Sequence, residues 1–241
     1  MPKLVRDMDT KVNKYIAPYH WTSQGFFKER YEYPLKIIKQ FLKRNGALVG
    51  LDVGCGDGRL TALLCEDAKH MTGVDNQKIA IDFAKLIFHE VGIKNASLQT
   101  GDATKLPFKD CSFDFVTCFD MIEHVPRESG TLVASEICRV AKSEGKIFLT
   151  TPNNRELRGR IFGHKVEEKH YYEYNMQELR NMFRSHLKDI TFKGIYIPVP
   201  LPRAEHFANI VLIRDIFSIL IKSGKNYPSI SHTLLMQGTK K

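Results

Sequence analysis

The sequence has 241 residues, 43% of them hydrophobic and 26% charged, a balance typical of one globular domain with additions. Its longest apolar stretch, residues 207–221, is interrupted by Arg214 and Asp215 and is shorter than the roughly 20 residues that a membrane span needs. No apolar signal segment follows the first methionine, and the five cysteines include no Cys-x-x-Cys pair. We therefore expect a cytoplasmic protein without a disulfide framework or a metal site.

The net charge of +9 is unevenly distributed along the chain. Residues 1–45 carry +6 and residues 151–241 carry +7, whereas residues 46–150 carry −4. The basic surplus therefore lies entirely outside the middle segment. This asymmetry indicates that the flanking segments contact an anionic partner.

The spacing of apolar residues predicts a regular alternation of strands and helices through residue 151. The predicted elements are a helix at 27–44, a strand at 47–53, a helix at 60–66, a strand at 70–74, a helix at 78–91, strands at 96–100 and 113–119, a helix at 131–141 and a strand at 146–151. This order predicts a Rossmann-like α/β fold, in which a mostly parallel sheet has helices on both faces.

The last third of the chain departs from this alternation. Its predicted elements are a helix at 176–186, a strand at 190–197, a helix at 205–222 and a last strand at 230–239, with linkers at 159–173 and 198–202. A strand that ends the chain is typical of an antiparallel edge added to a parallel sheet, and it brings the predicted sheet to seven strands.

A glycine-rich loop, Gly54-Cys55-Gly56-Asp57-Gly58, follows the first predicted strand. Glycines allow the chain to turn sharply and place bare backbone amides against a ligand. A simple tight turn and a dinucleotide site are the alternatives, the latter with a Gly-x-Gly-x-x-Gly loop and an acid about 20 residues later. Asp75, at the end of the second strand, could hold a ribose in either kind of cofactor.

Three further acids favour a different cofactor from a dinucleotide. Asp52 precedes the first glycine, where its charge suits ammonium and sulfonium groups and opposes a pyrophosphate. Asp102 closes the third strand, where it could accept from an adenine amino group, and Asp120 closes the fourth. Each acid alone could be a cap or turn residue, but together with Asp75 they mark the strand ends at which open α/β sheets bind ligands.

The segments LDVGCGDG, GVDN, GDATKLPF, FDFVTCFDMIEHVP and TTPN together resemble the class I S-adenosylmethionine-dependent methyltransferases. The resemblance is to the small-molecule branch that includes the ubiquinone and menaquinone biosynthesis methyltransferases, and it covers residues 51–154 and, more loosely, 170–179. It implies S-adenosyl-L-methionine as the cofactor. The implied contacts are Gly54, Cys55 and Gly56 with the methionine portion, Asp75 with the ribose, Asn76, Asp102 and Ala103 with the adenine, and Phe119 and Asp120 with the methionine amino group.

Two histidines are candidates for a general base, which is needed only if the acceptor must lose a proton. His124 follows the fourth strand, and Glu123 beside it would orient it or contact the substrate. His170 begins His-Tyr-Tyr-Glu-Tyr, which resembles a segment close to the substrate cavity in the family and places Tyr172 there too. Structural roles are the alternatives: His124 would cap its loop, and His170 would hold a linker against the sheet.

The remaining candidate substrate contacts lie in the basic flanks. Tyr19 and Trp21 could face the sulfonium by cation–π contact, or pack against the following helix. Arg158 is one of five cations before His170 that could meet a phosphate or carboxylate. The predicted helix at 207–222 has only one narrow polar strip, so part of its surface needs a second partner: a bilayer surface, another subunit or an oily substrate.

The sequence thus predicts a methyltransferase that acts on a small or lipid-like, negatively charged acceptor, with peripheral membrane contact as a further expectation. Its single domain divides into an N-terminal helical cap (1–45), a cofactor-binding core (46–151) and a substrate-side segment (152–241). A pI near 9.2 suggests a tRNA or rRNA methyltransferase as the alternative, although no RNA-binding module is recognisable. A non-catalytic cofactor-binding regulator is the second alternative. The acceptor atom and the oligomeric state are left open.

Overall fold

The computed structural model describes residues 26–197 and 224–241. Its helices are α1 (Phe26–Asn45), α2 (Arg59–Leu64), α3 (Lys78–Glu90), α4 (Arg127–Val140), α5 (Leu157–Phe162) and α6 (Met176–Phe183). Its strands are β1 (Val49–Val53), β2 (His70–Asp75), β3 (Ala96–Thr100), β4 (Phe113–Phe119), β5 (Ala141–Pro152), β6 (Leu187–Gly194) and β7 (Thr233–Lys240). Short 3₁₀ turns cover Ile122–His124 and Pro228–Ile230.

The seven strands form one sheet in the order β3-β2-β1-β4-β5-β7-β6. The first five pair in parallel, and β7 runs antiparallel to both β5 and β6. The predicted fold class, a seven-stranded mostly parallel sheet with an antiparallel last strand, is therefore confirmed. The predicted edge position of the last strand is wrong, because β6 forms the edge. The more deeply buried β7 takes the interior place, whereas exposed residues alternate with half-buried ones along much of β6.

Helices cover both faces of the sheet and create two apolar clusters. On one face, buried side chains of β1 and β4 pack with α4 and α6, including Ile137, Leu179 and Phe183. On the other face, Ile38 and Leu42 of α1 pack with side chains from β4 and β5. Burying a large apolar side chain stabilises the fold by about 1.5–3 kcal/mol, so α1 is held firmly to the sheet.

The boundaries differ from the sequence prediction at several places, β6 (Leu187–Gly194) and β7 (Thr233–Lys240) among them. Helix α4 begins directly after Pro126, four residues earlier than predicted, and β5 begins at Ala141 because the chain pairs with Phe113 before a register shift. The segment predicted as a linker at 159–173 contains part of α5, a helix without buried residues and therefore without an apolar periodicity to detect. The predicted helix at 205–222 and linker at 198–202 lie outside the described residues.

Because β1 to β5 are parallel, their carboxyl ends meet at one edge of the sheet. The glycine-rich loop, the acids that follow β2, β3 and β4, and the 3₁₀ turn with His124 all lie at this edge. Among the described residues, no helix combines the length and the hydropathy that a membrane span requires.

Candidate active site

The loop after β1 is tied to the end of β2 by its own backbone. The amides of Gly54 and Cys55 both donate to the carbonyl of Val74, at 2.8 and 3.0 Å. Gly56 has a φ of +51°, and a Cβ placed on it would meet no atom within 4 Å. The loop therefore adopts a left-handed turn that suits glycine and presents an open face at Gly56.

Asp75 joins this loop to the start of α3. Its Oδ2 accepts from the amide of Gly56 and its Oδ1 from the amide of Gln77, both at 2.9 Å. A carboxylate has about four acceptor positions, so Asp75 retains capacity for two ribose hydroxyls. Asn76, the next residue, is exposed at the same edge.

Asp52 lies beneath the loop rather than at its open face. Its two oxygens accept from the hydroxyls of Thr61, at 2.6 Å, and Thr117, at 2.8 Å, which join β1 to α2 and β4. Burial raises the pKa of Asp52 to about 6, although both hydroxyl bonds oppose the rise. The carboxylate thus supports the loop, and its two oxygens point at protein hydroxyls.

Asp102 forms a tight turn after β3. Its Oδ1 accepts from the amide and the hydroxyl of Thr104, both at 2.8 Å, a geometry typical of an Asx turn. Its Oδ2 accepts no hydrogen bond from the described part of the chain. Ala103 is half-buried and packs against the apolar cluster of α4 and α6.

Asp120 follows β4 in a left-handed conformation, with a φ of +48°. Its Oδ1 accepts from the hydroxyl of Thr150, at 3.1 Å, and its Oδ2 from the hydroxyl of Tyr31, at 3.0 Å. Tyr31 belongs to α1, so the N-terminal helix reaches the site through this residue. Phe119, directly before Asp120, is buried.

The two candidate bases lie together. The rings of His124 and His170 meet edge to face, with centroids 4.8 Å apart. Nδ1 of His124 lies 3.0 Å from the carbonyl oxygen of Lys169, which can only accept, so Nδ1 carries the proton and Nε2 the lone pair. Burial lowers the pKa of His124, more than the bond to Lys169 raises it.

A buried carboxylate, Glu173, positions His170. Its Oε1 lies 2.6 Å from Nδ1 of His170, and its Oε2 lies 2.9 Å from Nε2 of His164. Burial acts to raise the pKa of Glu173, but these contacts and the amide of Glu167 hold it below its usual value. The amide of Tyr171 donates to the carbonyl of Glu123, which docks the segment onto the turn with His124.

Comparison with known families identifies the chain. The sequence profile of the family described as "Methyltransferase domain" matches residues 42–192, well over half of the sequence. The chain belongs to this methyltransferase family. The match confirms the class predicted from the sequence motifs, and with it S-adenosylmethionine as the cofactor.

Curated relatives of this methyltransferase match part of its length. The ubiquinone biosynthesis O-methyltransferase of Aromatoleum aromaticum is 32% identical over 143 residues, 57% of this chain and 59% of that protein. The chain thus matches about three fifths of the length of such curated relatives.

Two solved structures share the architecture. The PH0226 protein from Pyrococcus horikoshii OT3 has a TM-score of 0.67 at 18% identity, covering 96% of this chain and all of that one. Magnesium protoporphyrin IX methyltransferase from Synechocystis PCC 6803, solved with bound SAH, has a TM-score of 0.62 at 16% identity, covering 97% and 90%. At these identities the likeness shows the fold alone.

Glu123 and Tyr172, the other candidate residues near the two histidines, form contacts within the protein. Glu123 is buried, and its Oε2 accepts a hydrogen bond from the hydroxyl of Thr151 at 3.0 Å. A carboxylate oxygen of Glu123 and ring nitrogens of His124 and His170 lie within 4.8 Å of one another. These three are the described side chains best placed to hold a metal ion. The ring of Tyr172 packs under the guanidinium of Arg127, and its hydroxyl donates to Glu178.

Arg158 is exposed on α5, and its amide donates to the capping side chain of Glu156. Tyr19 and Trp21 lie outside the described residues. Sequence reasoning did not single out Tyr31, Thr150 or His164, because each is brought to the site by a different element. Glu173 carried a usable signal, its spacing of three residues from His170.

Proposed function

We propose that the chain transfers the methyl group of S-adenosylmethionine to a hydroxyl oxygen of a small, negatively charged or lipid-like molecule. The observation that carries the proposal is the pair of His124 and His170 at the same sheet edge as the glycine-rich loop and Asp75. The choice of oxygen as the acceptor atom is supported by the curated relatives, which are named as O-methyltransferases.

In this proposal the cofactor lies along the carboxyl ends of β1 to β4. Gly54, Cys55 and Gly56 contact its methionine portion, Asp75 its ribose, Asn76, Asp102 and Ala103 its adenine, and Phe119 and Asp120 its amino group. Asp52 acts through the loop that it supports, because both of its oxygens already accept from Thr61 and Thr117. The open face at Gly56 gives the backbone room to approach the ligand.

Methyl transfer needs the acceptor oxygen in line with the bond from sulfur to the methyl carbon, so positioning supplies much of the rate. When bound, S-adenosylmethionine would supply an electrophilic methyl group on a sulfonium that leaves as a neutral thioether. The acceptor hydroxyl would give its proton to Nε2 of His124 as its oxygen takes up that methyl group. A lowered pKa keeps His124 neutral, and thus able to accept that proton, near neutral pH. The carbonyl of Lys169 stabilises the imidazolium that results.

The proposed acceptor is negatively charged and partly apolar because of what surrounds the site. Helix α5 presents Arg158 and Arg160 together with Ile161 and Phe162, which are 54% and 57% exposed. Exposed apolar side chains beside cations are typical of a surface that meets an anionic amphiphile or a lipid headgroup. Peripheral membrane contact through this surface is part of the proposal.

Methyl transfer from labelled S-adenosylmethionine tests the function directly. The acceptors to compare are dihydroxybenzoates, the same compounds with an alkyl chain, and total RNA. We expect label in an ether of the phenolic acceptors and none in RNA. Label in RNA would support the alternative of an RNA methyltransferase, and cofactor binding without turnover on any acceptor would support a regulator.

A further inference from the structure

A cavity of about 340 Å³ lies beside the carboxyl end of β5, on the side of β7. Three arginines line it, Arg155, Arg160 and Arg180, and none of its lining residues is acidic. Two of these arginines lie in the segment after β5 and the third lies on α6, so the cavity is assembled from separate parts of the chain.

Among residues 26–197 and 224–241, no acidic side chain compensates the charge of this cavity. None of the three arginines forms an ion pair with a described residue. The acids closest to them in sequence are engaged elsewhere. Glu156 accepts from the amides of Arg158 and Gly159, and Glu178 accepts from Asn175 and Tyr172. The described lining of the cavity therefore has a surplus of three positive charges.

The walls are held in place without a ligand. Asn153, which is 2% exposed, donates to the carbonyl of Ser231 at 2.9 Å and fixes the loop before β7. Arg160 donates to the carbonyls of Arg155, at 2.6 Å, and Ser229, at 2.7 Å. Arg180 donates to the carbonyl of Ile190 at 3.2 Å and lies over the ring of Phe192.

Because the side chains of Arg160 and Arg180 are already held by these contacts, a ligand would not have to immobilise them, which favours binding. Arg160 keeps three of its five N–H groups for a ligand, and the side chain of Arg155 donates to no described residue.

We propose that this cavity binds the phosphate group of an anionic ligand. Three guanidinium groups match the three terminal oxygens of a phosphate monoester, and arginine binds such oxygens through paired N–H donors. The cavity adjoins the candidate active site, because Asn153 forms a β-bridge with Tyr174, which ends the segment that starts at His170. Assigning the phosphate to the methyl acceptor rests on the proposed function, whereas phosphate binding itself does not.

Calorimetric titration of the full chain with inorganic phosphate and with phenyl phosphate, at constant ionic strength, tests this site. The variants are Arg155→Gln and Arg180→Gln, and the control is Arg184→Gln, an exposed arginine at the end of the same helix as Arg180 that does not line the cavity. Each cavity variant should bind phosphate about tenfold more weakly, since a hydrogen bond to a charged group contributes that much or more, and the control should be unchanged.

Equal affinity in all four proteins, or no saturable binding, would overturn the site. Vesicles of phosphatidylcholine with and without phosphatidylglycerol identify the source of the phosphate. If Arg155→Gln weakens vesicle binding but not phenyl phosphate binding, the phosphate belongs to a lipid headgroup and not to a soluble ligand. With an active acceptor, the same variants should raise KM about tenfold at constant kcat. An unchanged KM would overturn the link to the acceptor and leave the proposed function standing.

Discussion

The imidazole rings of His124 and His170 meet edge to face with centroids 4.8 Å apart, although one follows β4 and the other precedes α6. The carbonyl of Lys169 sets the tautomer of His124, and Glu173 orients His170. The two histidines that the sequence offered as separate candidates therefore form one unit. We expect that removal of either ring disturbs the position of the other.

We expect His124→Ala to lower kcat by about 100-fold while the Kd for S-adenosylmethionine is unchanged, because a general base contributes to the chemical step and not to cofactor binding. His170→Ala should lower kcat as well. Since the pKa of His124 is lowered, the wild-type rate should fall with decreasing pH only below about 6.5. Initial rates with a working acceptor from pH 5 to 8 provide the measurement.

His89→Ala is the control, since the side chain of His89 is exposed on α3 and far from this edge. The addition of EDTA should leave the wild-type rate unchanged if the pair acts as a base. Near-normal turnover in both histidine variants would contradict the assignment, and a loss of rate with EDTA would indicate a metal ion held by Glu123, His124 and His170 instead.

Asp75→Ala should weaken binding of S-adenosylmethionine and of its demethylated product by about tenfold or more. The variant loses the proposed bonds to the ribose and also the bond that orders Gly56. Calorimetry gives both affinities, and NAD should not bind to the wild type. Asp82→Ala, which removes a carboxylate from the exposed side of α3, is the control. An unchanged affinity in Asp75→Ala would show that the ribose lies elsewhere.

Asp52 should make stability depend on pH. Its pKa is about 6 in the folded chain and near 3.8 when exposed, so the unfolded chain loses this proton first as pH rises. Stability should therefore fall by about 2 kcal/mol between pH 4 and pH 6 through this residue. Urea denaturation across that range should show the loss in the wild type and not in Asp52→Asn. An equal dependence of stability on pH in the wild type and in Asp52→Asn would contradict the raised pKa of Asp52.

The same variant separates two roles of Asp52 at the cofactor site. If the carboxylate acts only by supporting the loop, Asp52→Asn should weaken S-adenosylmethionine and S-adenosylhomocysteine equally, because both ligands use the loop. A direct attraction to the sulfonium would weaken S-adenosylmethionine more. Since both oxygens of Asp52 accept from hydroxyls, we expect the equal loss.

The exposed surface of α5 should bind anionic vesicles in a flotation assay. Binding should be lost at high salt, because ionic attraction is screened, and it should be reduced in Arg158→Glu and Phe162→Ser. Arg184→Glu changes the charge equally at a site away from α5 and is the control. Failure of the wild type to bind either neutral or anionic vesicles would contradict the membrane contact.

Much of the fold was predictable because strands buried on both faces, such as residues 113–119, appear as mostly apolar runs. Residues 96–100 and 113–119 form strands with the predicted bounds, and the alternation of elements up to β5 is as expected. The place of β7 between β5 and β6 was not predictable from order alone. The place of β7 depends on which of β6 and β7 can expose polar side chains at the edge of the sheet, and the packing of the whole sheet determines this.

For the site, the sequence by itself determined what is local: a glycine-rich turn at Gly54 to Gly58, an acid at the end of β2, and a histidine directly after β4. Only the tertiary structure brought Tyr31 to Asp120 and His170 to His124, and only it directed Asp52 to Thr61 and Thr117. The reason is physical. Turn geometry follows from neighbouring residues, whereas contacts between distant side chains depend on how whole helices and strands pack.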